Sequence, residues 1–376
     1  MRARITLALL TAAAAVVPLA AVSAGPASAA VRPACPGTHP VMLYVTGDAT
    51  VTPVCAATGT VLKAIKTGPG PDHLVATPDG KTLYVSNGGI GQTIGHTVTV
   101  ISTVSSTAIK TINVGRGAGA IAITPNGKTV YVLGGMSDTV TPIRTATSTA
   151  VKPVKVGDSP VAIAITPDGK TAFVVNNGSG TVTPVTIATN TPLRPIKVGS
   201  DPLDIAITPD GKTAYVTSPD IVTPIRTATD TALRAIKIRY YPSNWHMPVV
   251  ITPDGKTAYV ISPFGGTVTP IRTATNTGLK PVKVGTQPWE IAITPDGKTG
   301  YVTSALGVVP IRIATNTALK AVKVGGQVQP RGIAITPDGK TAYAAGGVLT
   351  PIRTATNTAL KPIQLAGLGV IIVVIR

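Results

Sequence analysis

Ile291-Ala292-Ile293-Thr294-Pro295-Asp296-Gly297-Lys298-Thr299-Gly300-Tyr301-Val302-Thr303-Ser304 is the stretch on which the fold turns. Its first four residues read as a short apolar strand, strand a. Pro295-Asp296-Gly297-Lys298 reads as a turn, with Pro fixing φ and Gly free to take a positive φ. Gly300-Tyr301-Val302-Thr303 is strand b and Gly307-Val308-Val309-Pro310-Ile311-Arg312 is strand c. A second polar turn, Ala314-Thr315-Asn316-Thr317, leads into strand d, Leu319-Lys320-Ala321-Val322-Lys323-Val324. Strands of four to six residues, short turns and no helical period describe an antiparallel meander.

The unit repeats. T-P-D-G-K or its Asn variant recurs with its proline at Pro78, Pro125, Pro167, Pro209, Pro253, Pro295 and Pro337, in steps of 47, 42, 42, 44, 42 and 42 residues. That period suits a four-stranded propeller blade and is too long for a leucine-rich repeat. Strand d carries Lys and often Pro, as in Lys280-Pro281-Val282-Lys283, which discourages edge pairing and suits the outermost strand. Strand a, short and β-branched, suits the inner position. The Tyr-Val position of strand b occurs eight times, at Tyr44, Tyr84, Tyr131, Phe173, Tyr215, Tyr259, Tyr301 and Tyr343. The first of these belongs to an N-terminal segment, residues 41–66, that holds strands b, c and d but no strand a. The C-terminal run Val370-Ile371-Ile372-Val373-Val374-Ile375 supplies the missing strand, so pairing the two ends closes a ring. The fold class is therefore all-β: a propeller of four-stranded antiparallel blades, eight by this count, with seven plus an accessory hairpin as the alternative.

Composition agrees. Of 376 residues, 44% are hydrophobic and 13% charged, enough to bury a large core and too little charge to stay open. The two cysteines exclude a disulfide-dense scaffold and Cys-rich zinc modules. Arg2 and Arg4, an apolar run from Ile5 to about Val22, and Ala27-Ser28-Ala29 form the pattern of a cleaved signal peptide. Residues 1–30 are thus expected to be an export signal and residues 31–376 a single propeller domain, secreted and associated with the cell wall or outside the cell. No other segment has the roughly 20 apolar residues of a membrane helix.

Tyr215-Val216-Thr217-Ser218 and Tyr301-Val302-Thr303-Ser304, each after a P-D-G-K turn and before an A-T-[ND]-T turn, resemble the YVTN-type β-propeller repeat family. The resemblance covers nearly all of the mature chain. It implies a propeller of the kind found in exported surface proteins, within a broader group that includes lactonases and a streptogramin lyase. Where that family carries an acidic residue at the end of strand c, this chain has Arg144, Arg226, Arg272, Arg312 and Arg353.

In a meander blade the a–b and c–d turns lie on one face of the disc, and the b–c and d–a loops on the other. The first face is monotonous here, which marks it as scaffold. The second carries the residues that break the repeat, just before each strand a: Asp72 and His73, Leu203 and Asp204, Trp245 and His246, Trp289 and Glu290, and Arg331. A site would be built there. His73, His246 and Glu290 are the candidate acid/base groups, and Arg331 a candidate anion binder. The bland alternative is solvated loop residues, with Trp245 and Trp289 plugging the channel. No serine elbow, H-E-x-x-H helix, phosphate loop or paired Cys ligands appear, so neither cofactor nor metal is expected. Cys35 and Cys55 flank strand b of the first segment, and export favours a bridge between them over two free thiols.

The chain carries 33 Lys and Arg against 15 Asp and Glu, a net charge of +18. A solvated face accounts for this, as does adhesion to anionic wall polymers or surface proteins through the summed field. Aromatics at 3% are too sparse to interleave with bases, so nucleic acid is not the expected partner. The sequence thus points to a monomeric, exported, non-enzymatic binding or scaffold propeller. A lactonase- or lyase-like enzyme working at the channel mouth is the alternative.

Overall fold

A computed structural model describes residues 35, 41–238, 247–326, 328–365 and 372–375. Within them the chain forms eight antiparallel sheets, each a blade in the order a, b, c, d from the axis outward. The alternative of seven blades plus a hairpin is thereby corrected: the eighth Tyr-Val strand belongs to a full blade. Blade 1 takes its strands b and c from Met42–Thr46 and Thr50–Cys55, and its strand a from Ile372–Ile375 at the other end of the chain. Met42 pairs with Ile375 and Val45 with Ile372, so the two ends close the ring. Strands a of blades 2 to 8 are Pro71–Ala76, Ala118–Ile123, Pro160–Ile165, Asp204–Ile207, Val249–Ile251, Ile291–Ile293 and Gly332–Ile335. The expected signal peptide lies outside the described residues.

The T-P-D-G-K turn is a small hydrogen-bonded device. Thr294 Oγ1 donates to Asp296 Oδ1 at 2.6 Å and accepts from the Thr299 N–H at 3.1 Å. Asp296 Oδ1 also accepts the Lys298 N–H at 3.0 Å, and Gly297 takes φ +69°. A Cβ on the equivalent Gly127 would come within 2.7 Å of Pro78 in the preceding blade, so the glycine also admits the neighbouring turn. That explains why the repeat tolerates Asn126 for Asp but keeps the glycine.

Strand d departs from expectation. It forms two short ladders in most blades, for instance Thr149–Ala150 and Val154–Lys155, both paired with Thr139–Arg144. The intervening Val151-Lys152-Pro153 includes a residue without an N–H to donate. Blade 2, with Thr111 where blade 3 has Pro153, keeps a continuous strand Thr107–Asn113.

Strands a to c, with a strand-d residue such as Ile196 or Val282, supply the apolar residues that pack between blades in a chain of clusters, each spanning adjacent blades. Tyr259, Ile261 and Val268 of one blade meet Ile291, Val302 and Ile311 of the next. Every strand-b tyrosine is buried, and in six blades its hydroxyl crosses to the following blade. Tyr301 donates to Asn357 Oδ1 at 2.6 Å, Tyr131 to Asn190 Oδ1 at 2.6 Å, and Tyr343 to the Ala56 carbonyl at 2.9 Å. Burial pushes these phenols up, Tyr131 and Tyr301 to about 12. Asn357 and Asn190 sit in the left-handed region, which Asn tolerates better than most residues. The recurrent Asn of the A-T-N-T turn is therefore both a turn former and an acceptor for the neighbouring blade.

Candidate functional site

The inner strands place the residues that break the repeat on a common level. Five positions before the turn proline stand His73, Asp204 and Glu290, where other blades have Ala120, Ala162, Pro248 and Gly332. One position earlier stand Asp72, Trp289 and Arg331. Asp72, His73 and Asp204 lie within strand a rather than ahead of it, a correction to the sequence reading. Trp245 and His246 lie outside the described residues.

The two carboxylates face the next blade. Asp204, 2% exposed, accepts the Val249 N–H through Oδ2 at 3.0 Å. Glu290 accepts the Ile333 N–H through Oε2 at 3.1 Å. Both N–H groups belong to the inner edge of a strand a. Hydroxyls of strand b add a second stitch, since Thr217 Oγ1 donates to the Met247 carbonyl at 2.8 Å. Burial pushes the Glu290 carboxyl up to about 8; the Ile333 N–H opposes this and the Asp204 charge adds to it. At neutral pH Glu290 is therefore mainly the neutral acid.

Arg331 does not pair with Glu290. Its guanidinium lies 4.7 Å from the ring centroid of Trp289, a cation–π geometry, and Trp289 is buried. His73 is 1% exposed, with Nδ1 3.4 Å from Asp72 Oδ2, and neither ring nitrogen makes a hydrogen bond. Blades 5, 7 and 8 thus hold the carboxylates, Trp289 and Arg331, while blade 2 holds Asp72 and His73. Among the described residues no three His, Cys, Asp or Glu side chains group in a way that could hold a metal.

The same face carries an unequal share of charge. Its b–c loops include Asp48, Asp138 and Asp220, and its d–a loops Asp158 and Asp201. With Asp72, Asp204 and Glu290 this face has eight of the fifteen acidic residues, and its loops have only Arg116 and Arg331 among the described cations. On the opposite face four of the seven turn lysines pair with the aspartate of their own turn, as Lys170 with Asp168 at 3.7 Å and Lys256 with Asp254 at 3.6 Å. The excess sits on the strand-c arginines and on the outer strands. Six outer strands carry two exposed cations three residues apart, from Lys63/Lys66 and Lys152/Lys155 to Lys280/Lys283 and Lys320/Lys323. Among the described residues only Lys155 of this set has an acidic partner, Asp138 at 3.6 Å.

Cys35 is bonded to Cys55, tying the start of the described chain to strand c of the closing blade.

A family model described as "Lactonase, 7-bladed beta-propeller" matches residues 24–197, under half of the chain and ending before Asp204, Glu290 and Arg331. No curated protein matches in sequence. Among solved structures, dihydro-heme d1 dehydrogenase NirN is similar with a TM-score of 0.77 at 13% identity, over 91% of this chain and 77% of that one. Citrobacter koseri AztD gives 0.65 at 12% identity, over 90% and 98%. Kuenenia stuttgartiensis hydrazine synthase gives 0.60 at 24% identity, over 82% and 99%. At these identities the likeness is one of fold, which hosts many unrelated functions.

Proposed function

We propose that this protein is an exported, non-enzymatic binding propeller of the YVTN repeat type, whose rim holds an anionic polymer of the cell envelope. The observation that carries this reading is the girdle of paired cations on the outer strands, exposed and almost without acidic partners. Strand d packs inward through a single residue such as Val154 or Val282, and a cation on either side of it is more charge than edge protection needs. The bond between Cys35 and Cys55 supports an oxidising compartment. Retention on immobilised polyphosphate tests the reading. Log affinity should fall linearly with log salt, by on the order of a thousandfold between 50 and 200 mM for six phosphate contacts. Reversing Lys152, Lys155, Lys280 and Lys283 to Glu should abolish retention while Trp289→Ala leaves it intact. Retention insensitive to salt would overturn the proposal.

A second reading is a lactonase-like enzyme with Glu290, His73 and His246 as its acid/base groups; the family match supports it only over residues 24–197, which include His73. Turnover of a lactone panel, with and without added divalent metal, that is lost in Glu290→Gln or His246→Ala would support it. In that case the mouth, and not the rim, is the working surface.

A further inference from the structure

We infer that the acidic loop face of one molecule docks on the arginine-bearing face of a second copy, so that the discs stack head to tail. Each strand c starts at a b–c loop on one face and ends at a c–d turn on the other, six residues and about 20 Å away. Asp220 immediately precedes Ile221–Arg226, and Asp138 precedes Thr139–Arg144, so acid and arginine stand at opposite ends of the same strand. In blade 7 the place of the acid is taken by Leu306, 55% exposed, above Arg312, and in blade 6 Phe264, 53% exposed, lies in the same loop three residues before Thr267–Arg272. Met136, 62% exposed, lies beside Asp138.

Two consequences follow from the ring. Because the b–c loop acids and the arginines stand at the two ends of strand c, a coaxial stack rotated by two blades sets Asp48, Asp138 and Asp220 over Arg144, Arg226 and Arg312. Because Arg144, Arg226, Arg272, Arg312 and Arg353 are all exposed, each can lay its aliphatic stem on an apolar loop tip and its guanidinium beside a carboxylate. Phe264, Leu306 and Met136 together form an apolar component that charge alone would not require. Asp48, Asp158 and Asp220 are exposed and have no ion pair among the described residues. The contact joins different faces of the two copies, so it does not close, and stacks grow without a fixed end. A monomer, expected from the sequence, is then only the dilute limit.

The proposal is independent of the rim and of polymer, and is tested by sedimentation on the purified protein. Weight-average mass should rise continuously with concentration in 50 mM salt and fall back toward monomer in 0.5 M salt, as screening shortens. A triple change on the loop face, Asp48→Lys, Asp158→Lys and Asp220→Lys, should give a monomer. So should Arg226→Glu, Arg272→Glu and Arg312→Glu on the other face. Mixing the two variants should restore association, because each interface in an alternating stack again joins opposite charges. These side chains are exposed, and unchanged thermal unfolding of each variant shows that the fold is intact. Wild type that stays monomeric to about 1 mM in low salt overturns the proposal, as does a mass that plateaus at the dimer, or a mixture that fails to associate. A rim variant with Lys63, Lys152, Lys280 and Lys283 changed to Glu, which leaves Lys155 on Asp138, should stack as wild type, which separates this result from the fate of polymer binding.

Discussion

Glu290 accepts the Ile333 N–H across the boundary between blades 7 and 8, and the carboxyl that does so is pushed by burial up to about 8. A protonated carboxyl keeps an acceptor oxygen for Ile333, so the stitch survives in the neutral form, and ionisation is what the site resists. The folded pKa lies above the unfolded value near 4.3. Its favourable contribution is therefore complete below that value and is lost as pH rises through about 8. Wild-type Tm should fall by several degrees between pH 6 and pH 9, and Glu290→Gln should flatten that fall while keeping the acceptor. A pH series of thermal scans on both proteins decides it; parallel curves would count against the buried-acid account.

Phe173 stands where six other blades have a tyrosine that donates to the next c–d turn. By the register of the repeat its partner is Asp230, which sits at φ +50° with its carboxyl pushed up by burial. Phe173→Tyr should supply the missing donor, worth about 1 kcal/mol for an ordinary hydrogen bond and more for one to a charged group. Tm should rise by roughly 2–4 °C. The gain should vanish in an Asp230→Ala background, and a gain that persists there would locate the effect elsewhere.

Much of the architecture could be read from residues alone, because turn chemistry is local. Pro295, Gly297 and the alternation around Tyr301 each act within a few residues, and the eight Tyr-Val positions gave the blade count that the sheets bear out. What escaped was contact between units. Nothing in the spacing tells that Asn357 receives Tyr301, or that Glu290 serves Ile333, since these pairs are set by how blades nest. The outer strand is likewise not set by one residue: its ladder breaks between Ala150 and Val154, where Pro153 lacks a donor, and equally between Ala232 and Ile236, where Ala235 has one. At the channel mouth the unusual residues were visible, but their grouping into a carboxylate–Trp289–Arg331 side and a separate Asp72–His73 side was not.

The bond between Cys35 and Cys55 closes a loop of 20 residues. In the chain-entropy picture such a link stabilises by roughly 3 kcal/mol. Cys35→Ser with Cys55→Ser should lower the unfolding midpoint accordingly, and reductant should move wild type to the same value while leaving the double variant unchanged. A wild-type midpoint indifferent to reductant would mean that the bridge constrains little.

Ring closure makes the sharpest demand on the chain. Ile372–Ile375 is the sole strand a drawn from the far end, pairing with Met42–Thr46, and Val374 packs with the cluster of Leu43, Val54 and Leu349. Without it, blade 1 would present an unpaired inner edge, and blade 8 would lose a neighbour on one side. Stacked repeats are held by nearest-neighbour interfaces, so loss of one closing strand should weaken both adjoining blades rather than one. Val374→Asp places a charge against that cluster and should cost several kcal/mol, since burial of an unpaired carboxylate is among the most damaging single changes. Unfolding should then split, with blades 1 and 8 opening before the rest. Amide hydrogen exchange reads this directly: protection should fall first in residues 42–55 and 332–353, and uniform loss across all eight blades would show that the ring is not held shut by this strand.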